Sequence, residues 1–286
     1  MTILDGKTIS QKILDSLKLE IQNLNLHPIL DIILVGNNPS SLKYVELKQQ
    51  KATAIGIGGQ IHQLDQNCDT QTVINLINNL NNDSNVTGLM VQLPLPSQID
   101  TNQVLLSIKP SKDADGLNPF NLALLFQKNE QGIPSATSFG VMKLLEEYKI
   151  DLDGKNAVIV GRSSDVSLPL FAQLMAKDCT VTICHSHTQN LAQICREADI
   201  LISAMGKPKL LGKEFIKKDA VVVDVGFGVD PQTGKVSGDF DFDQIKDIAS
   251  YITPVPGGVG PMTVASLLFN IVRIAKKIYN FSVNKI

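Results

Sequence analysis

Ala157-Val158-Ile159-Val160-Gly161-Arg162-Ser163 is the stretch on which the fold turns. Four consecutive apolar residues, three of them β-branched, read as a strand covered on both faces, the pattern of a parallel sheet. The glycine that ends the run admits a tight turn, and the residues beyond it read as a helix. A strand that enters a helix through a glycine turn is the context in which a helix N-terminus receives phosphate. The spacing is not G-x-G-x-x-G, because Ser163 and Ser167 stand where glycines would be wanted, so by itself the motif is a weak dinucleotide signal.

Working downstream, a helix is followed by a strand at 180–184, another helix, a strand at 200–203 and an apolar strand at 221–225, a series of the doubly wound kind. A Gly/Pro-rich loop at 254–261 leads into a closing amphipathic helix at 264–278. Working upstream, Ile9, Ile13, Leu17, Ile21 and Leu24 form one apolar stripe at helical spacing. A buried strand at 29–35, a turn at 36–39, a helix at 40–55 and an extended piece at 60–64 follow. A helix capped at Asp69 or Thr70 and a strand at 88–92 complete this half. Helices and strands alternate almost throughout, so the fold class is α/β with largely parallel sheets. The segment 109–116, rich in Pro, Asp, Lys and Gly, is the best candidate for a domain junction.

A chain of 286 residues exceeds the usual single core, so two α/β domains, or one large α/β unit, are expected. The formal net charge is −2 and no segment interleaves Lys and Arg with aromatics, which argues against a nucleic-acid partner. Cys68, Cys179, Cys184 and Cys195 lack metal-ligand spacing and read as reduced, structural thiols of a cytoplasmic protein. The first residues hold no apolar leader, and no uninterrupted apolar run reaches the roughly 20 residues of a membrane span. A soluble protein with no membrane partner is expected.

Among residues able to carry chemistry, Tyr44 and Lys48 lie four apart and share a helix face. Taken alone such a pair is an ordinary solvated surface. Gln92 ends an apolar strand where open α/β sheets place ligand groups, or is simply a polar residue leaving the core. Asp113-Ala114-Asp115-Gly116 presents a carboxylate or is a plain turn, and without further information the turn is the simpler reading. His185 and His187 point the same way from a strand end, but no thiolate or carboxylate cluster joins them, so no metal site is expected.

Four segments in order decide between these readings. Val35-Gly36 with Pro39, Ser41, Tyr44 and Lys48 resembles the first signature of the bifunctional methylenetetrahydrofolate dehydrogenase/methenyltetrahydrofolate cyclohydrolase (FolD) family. Residues 91–96 resemble its second, 112–116 its third, and Pro254-Val255-Pro256-Gly257-Gly258-Val259-Gly260-Pro261-Met262-Thr263 its fourth. With Gly161-Arg162-Ser163 and Asp224-Val225-Gly226 the resemblance runs from Asp5 to Thr263.

The resemblance implies a folate-binding catalytic domain, 1–118 plus 264–286, to which the C-terminal helix returns, and a Rossmann-type NADP-binding domain, 119–263. It implies Lys48 as the catalytic lysine, Tyr44 as its partner over the folate ring, Gln92 as a hydrogen-bond partner of the lysine and Asp115 as the pterin anchor. Leu93, Pro256, Gly257 and Gly258 would complete the folate site. Gly161, Arg162, Ser163, Ser186, Phe227 and Thr263 fall where the family contacts NADP. The implied activity is NADP-dependent oxidation of 5,10-methylenetetrahydrofolate followed by hydrolysis to 10-formyltetrahydrofolate, in a cytoplasmic homodimer serving one-carbon metabolism and purine biosynthesis. A monofunctional dehydrogenase, and a folate- or nucleotide-binding paralogue without turnover, are the competing expectations. The chain departs from the family at 135–138, where Ser-Ala-Thr-Ser replaces Pro-Cys-Thr-Pro, at Ser167 for a glycine, and at His187 for a basic residue.

Overall fold

The computed structural model describes residues 1–283, with side chains through residue 279. Along the chain, β1 (Thr2–Ile3) and α1 (Gly6–Asn23) precede β2 (Leu30–Val35), α2 (Pro39–Ala54), β3 (Ile61–Leu64), α3 (Thr70–Asn82), β4 (Gly88–Val91), α4 (Thr101–Ser107), α5 (Pro119–Phe126) and α6 (Ala136–Glu147). There follow β5 (Asn156–Val160), α7 (Ser167–Ala176), β6 (Thr180–Cys184), α8 (Leu191–Cys195), β7 (Ile200–Ser203), β8 (Val221–Asp224), β9 (Gly228–Val229), β10 (Val236–Ser237), α9 (Phe242–Ile245), β11 (Tyr251–Ile252) and α10 (Val259–Val283). Two compact units result, one of residues Met1–Gln11 and Thr137–Thr263, the other of Lys12–Ala136 and Val264–Ile286.

The unit of Lys12–Ala136 and Val264–Ile286 is built on the parallel sheet β3-β2-β4. Every residue of β2 is buried, because helices cover both faces and alternate side chains go to opposite sides. Leu30, Ile32 and Leu34 join Leu17 and Ile21 of α1, Val45 and Ala52 of α2, and Leu268 and Ile271 of α10. Ile33 and Val35 join Leu89 and Val91 of β4, Val73 and Ile77 of α3, and Val104 of α4. The C-terminal helix thus returns to this unit as expected, and truncating Leu268 or Ile271 to alanine would cost about 2–5 kcal/mol. By length and composition the stretch Val259–Tyr279 could cross a membrane, but 67% of its apolar window is buried inside the protein. It is a core helix by its packing.

Local chemistry sets the helix starts. Asn38 Oδ1 accepts the backbone N–H groups of Ser40 at 2.9 Å and Ser41 at 3.3 Å, and Pro39 occupies the first turn of α2. Asp69 caps α3 by accepting the Thr72 N–H at 2.8 Å.

The segment 109–116, expected at a domain junction, lies inside this unit: Leu89 and Asp113 form a parallel bridge, with Leu89 N–H donating to Lys112 O at 2.8 Å and Ala114 N–H to Leu89 O at 3.1 Å. A single bridge fastens the segment to the outer side of β4, a long-range contact that its density of turn-forming residues concealed.

The other unit carries the parallel sheet β1-β11-β8-β7-β5-β6. Its strands β5, β7 and β8 are the apolar runs read from the sequence, and Val158, Val160, Leu201 and Val222 share one core cluster. Strand order reverses at β5, with β6 on one side and β7 on the other, the topological switch point of a doubly wound sheet. The expected domain bounds, 1–118 with 264–286 and 119–263, differ from these units at two places. Residues 1–11 lie with the six-stranded sheet because β1 pairs with β11. Residues 119–136 lie with the three-stranded sheet, where α5 is tied to Asp113.

Candidate active site

In the unit of the three-stranded sheet, α2 leaves the C-terminal end of β2 and carries Tyr44 and Lys48 on one face. Lys48 is 3% exposed. Its Nζ donates to Gln92 Oε1 at 3.0 Å, touches Met90 Sδ at 3.6 Å and sits 4.5 Å from the centroid of the half-buried Tyr44 ring. The solvated-surface reading of this pair is therefore wrong. Gln92 follows β4, held by its N–H to Ile33 O at 2.8 Å, and its Nε2 donates to Leu93 O at 2.6 Å, which turns Oε1 toward the lysine. Burial lowers the Lys48 pKa from the ordinary lysine value, and the charge of Asp115 partly offsets this.

Asp115 is half-buried and its backbone is clamped from three directions. Asp113, fully buried, accepts Gly116 N–H at 3.1 Å, Asn118 N–H at 2.8 Å and Asn121 Nδ2 at 3.0 Å. Asn270 of α10 donates from Nδ2 to Ala114 O and Pro134 O, both at 2.9 Å, and Ala136 N–H reaches Asp115 O at 3.0 Å. Gly116 has φ +69° and an added Cβ would lie 2.3 Å from Pro134 O, so only glycine fits. Residues 113–116 are thus both a turn and a fixed mount for a carboxylate. Burial pushes Asp113 up to about 6, against the hydrogen bonds from Asn118 and Asn121 that lower it.

Asn118, Asn121 and Asn270 were not singled out from sequence. A signal existed for the last, since an asparagine inside the run Leu267-Leu268-Phe269-Asn270-Ile271-Val272 must be buried and hence bonded.

In the unit of the six-stranded sheet, Gly161 ends β5 with φ +143°, and an added Cβ would lie 2.9 Å from both Ala204 O and Ser167 Oγ. The backbone conformation and the close neighbours there admit glycine and no side chain. Ser163 O accepts Leu168 N–H at 3.0 Å and Ser163 Oγ lies 3.4 Å from Ser167 N, which starts α7. Ser167, the departure from glycine, is fully buried, and its Oγ has no hydrogen-bond partner among the described residues. Arg162 is exposed beside this turn.

After β6, His185 N–H donates to Thr188 Oγ1 at 2.8 Å and His187 N–H to His185 Nδ1 at 3.2 Å, leaving Ser186 exposed at the apex. The two rings lie edge to face with centroids 6.0 Å apart, and no group of three metal-ligating side chains occurs among the described residues. Phe227 is 67% exposed beyond β8. Gly257 has φ +111° and its carbonyl accepts Lys7 N–H at 3.0 Å, while Gly258 N–H donates to Pro254 O at 2.8 Å. Pro256 is exposed between them and the chain turn. Thr263 Oγ1 lies 3.3 Å from both Thr137 Oγ1 and Val259 O. The residues 135–138 that depart from the family pattern are ordered here, Ser138 Oγ accepting Gln173 Nε2 at 2.7 Å.

Comparison with known proteins matches both halves. The catalytic domain of tetrahydrofolate dehydrogenase/cyclohydrolase matches residues 4–115, and its NAD(P)-binding domain matches residues 135–279. The bifunctional protein FolD of Methanoculleus marisnigri is 48% identical over 96% of each chain, and that of Lactococcus lactis 44% identical over 98% of this chain and 99% of its own. The crystal structure of the bifunctional FolD enzyme from Campylobacter jejuni superposes with a TM-score of 0.94 at 44% identity, covering 97% of this chain and 99% of that one. That of the Trypanosoma brucei dehydrogenase-cyclohydrolase, complexed with NADP and an inhibitor, gives 0.93 at 36% identity over 97% and 98%. With both domains matched, and identity near one half across almost its whole length, the chain belongs to the tetrahydrofolate dehydrogenase/cyclohydrolase family.

Proposed function

We propose that the protein oxidises 5,10-methylenetetrahydrofolate to 5,10-methenyltetrahydrofolate with NADP and hydrolyses the product to 10-formyltetrahydrofolate. The observation that carries this reading is the buried Lys48, bonded to a neutral glutamine and facing a tyrosine ring. A lysine moves protons near neutral pH only if part of it is uncharged, and burial supplies that condition. Hydrolysis requires water to add to the methenyl carbon and lose its protons while N5 gains one as its bond to that carbon breaks. Lys48 Nζ is the group proposed to hold and return the proton. Gln92 fixes its position without adding the charge that a carboxylate would. Asp115 is the proposed anchor of the pterin edge, with Tyr44 stacked over the folate ring and Leu93, Pro256, Gly257 and Gly258 lining the substrate.

NADP, when bound, supplies the nicotinamide that accepts the hydride. The residues of the Gly161 turn fit such a group: a glycine at φ +143° turns the chain from β5 toward α7, and β6 ends without the acidic side chain that NAD-selective sheets use. Arg162 and Ser186 are proposed to bind the 2′-phosphate, Gly161 and Ser163 the dinucleotide backbone, and Phe227 and Thr263 the nicotinamide half. The proposed division of labour assigns folate to 1–118 with 264–286 and NADP to 119–263.

The same reading makes the protein a cytoplasmic homodimer of one-carbon metabolism feeding purine biosynthesis, without membrane or nucleic-acid partners. Cross-strand neighbours Val229 and Val236, 60% and 39% exposed, support a partner chain on the cofactor unit. Light scattering after size exclusion tests the dimer. The activity is tested by following NADPH and methenyl absorbance with methylenetetrahydrofolate and NADP. A methenyl signal that outlasts its spontaneous hydrolysis would leave a dehydrogenase alone, and absence of NADPH would leave a binding protein.

A further inference from the structure

Two carboxylates in the six-stranded unit, Asp224 and Asp239, are 4% and 0% exposed and have no place in the chemistry above. Asp224 Oδ1 accepts the N–H groups of Gly226 and Asp239, both at 3.0 Å, and its Oδ2 accepts Phe240 N–H at 2.9 Å. Asp239 Oδ2 accepts Ser203 Oγ and Met205 N–H, both at 2.7 Å, and its Oδ1 accepts Lys207 N–H at 2.6 Å. The packing is reciprocal. A Cβ on Gly226 would lie 2.1 Å from the Asp239 carboxyl carbon, and one on Gly238 would lie 2.0 Å from Asp224 Oδ2. Each acid therefore lies against a glycine beside the other, and neither glycine can be replaced without expelling a carboxylate.

Such an arrangement is costly to fold. Burial pushes Asp224 up to about 7, against the three backbone donors and helped by the neighbouring charge of Asp239. What it secures is the backbone of two loops. Residues 204–207 follow β7 and residues 225–227 follow β8, both at the C-terminal ends of parallel strands. β7 adjoins β5 at the switch point, and a Cβ added to Gly161 would lie 2.9 Å from Ala204 O. The loop after β7 is thus the wall facing the Gly161 turn, in the crevice where open α/β sheets take a dinucleotide.

We infer that Asp239 is a positioning residue for the nicotinamide cofactor, shaping the 203–207 wall of its crevice through Ser203, Met205 and Lys207, with Asp224 and the two glycines holding it in place. The inference rests on the reading of this unit as NADP-binding. It separates from general stability because hydrolysis of methenyltetrahydrofolate consumes no NADP.

The test is Asp239→Asn in the full chain, with Ser203→Ala as a milder variant that keeps the carboxylate and both backbone bonds. Calorimetric Kd and kinetic KM for NADP are measured beside cyclohydrolase kcat/KM assayed without NADP. Asp239→Asn puts an amide donor where only acceptors fit, so its NADP Kd and KM should rise roughly 10- to 100-fold, and those of Ser203→Ala roughly 3- to 10-fold. Cyclohydrolase kcat/KM should stay within about twofold of wild type, since no hydrogen bond to Asp239 changes there. If Asp239→Asn does not fold, Ser203→Ala decides. Wild-type NADP affinity in the folded variants overturns the inference alone, as does a parallel fall in both activities. A wild type that binds no NADP overturns the cofactor reading and the inference with it.

Discussion

Lys48 Nζ donates to Gln92 Oε1 across 3.0 Å, and the lysine is almost wholly buried in making this contact. A neutral amide accepts the proton-bearing nitrogen without stabilising its charge as a carboxylate would. Burial therefore keeps the upper hand in setting the lysine pKa.

Lys48→Met removes the proposed proton carrier and keeps an unbranched apolar stem. Cyclohydrolase kcat should fall by roughly 10²- to 10⁴-fold, while appreciable dehydrogenase activity survives, because hydride transfer needs no proton shuttle. Paired assays on one preparation check this. Equal losses in both reactions would make Lys48 a binding residue.

Gln92→Glu places a carboxylate on the lysine. An opposite charge at hydrogen-bond distance favours the ammonium form and raises the lysine pKa. The rise of cyclohydrolase activity with pH should move upward with it, with a loss at neutral pH that is recovered in alkaline buffer. A pH profile of kcat decides, and a uniform loss at every pH would refute the electrostatic role of Gln92.

Asp115→Asn weakens the charge-assisted hydrogen bonds proposed to the pterin edge, each of a kind that contributes on the order of 1.5–3 kcal/mol. Folate KM should rise strongly in both reactions, with NADP KM little changed. Unaltered folate KM would return residues 113–116 to the status of a plain turn.

Arg162→Ala should cut the preference for NADP over NAD by roughly 10- to 150-fold, the equivalent of one arginine–phosphate interaction. The measurement is kcat/KM for both cofactors at pH 6 and pH 8. A ratio untouched by the substitution would remove Arg162 from the phosphate site.

Asp113 binds its proton up to about pH 6 in the folded protein but only up to the ordinary carboxylate value of 3.8 when unfolded. Between these values the native state holds more protons, so this group's contribution to stability is complete below the unfolded value and is lost as pH rises toward 6. Asp113→Asn carries no such titration. Its stability relative to wild type should therefore improve by on the order of 3 kcal/mol between pH 4 and pH 7. Urea unfolding of both proteins at the two pH values checks the sign, and a constant difference would mean Asp113 ionises normally.

Much of the fold was legible because its signals are local. The runs at 157–160 and 200–203 are buried strands, and Asp69 caps α3 as its position before an apolar periodicity suggests. The candidate residues were legible as ordered motifs, and the structure brings Tyr44, Lys48 and Gln92 together in one unit. Two things were not legible. Strand β1 spans only Thr2–Ile3, too short for any periodicity, and joins the six-stranded sheet solely by pairing with Tyr251–Ile252. The segment 109–116 reads as a linker by composition, yet a bridge from Asp113 to Leu89 fastens it beside β4.

Spacing, capping and turn chemistry act within a few residues, so the linear chain sufficed for the alternation of strands and helices, the turn at Gly161 and the choice of candidate residues. Tertiary structure decided what those groups can do. Lys48 is an ordinary solvated lysine on paper and loses proton affinity only when the packed chain removes its water. Asp239 belongs to no motif, and it reaches Ser203 across 36 residues of sequence because two sheet loops converge there. Burial and long-range convergence are properties of the closed chain, and no local pattern encodes them.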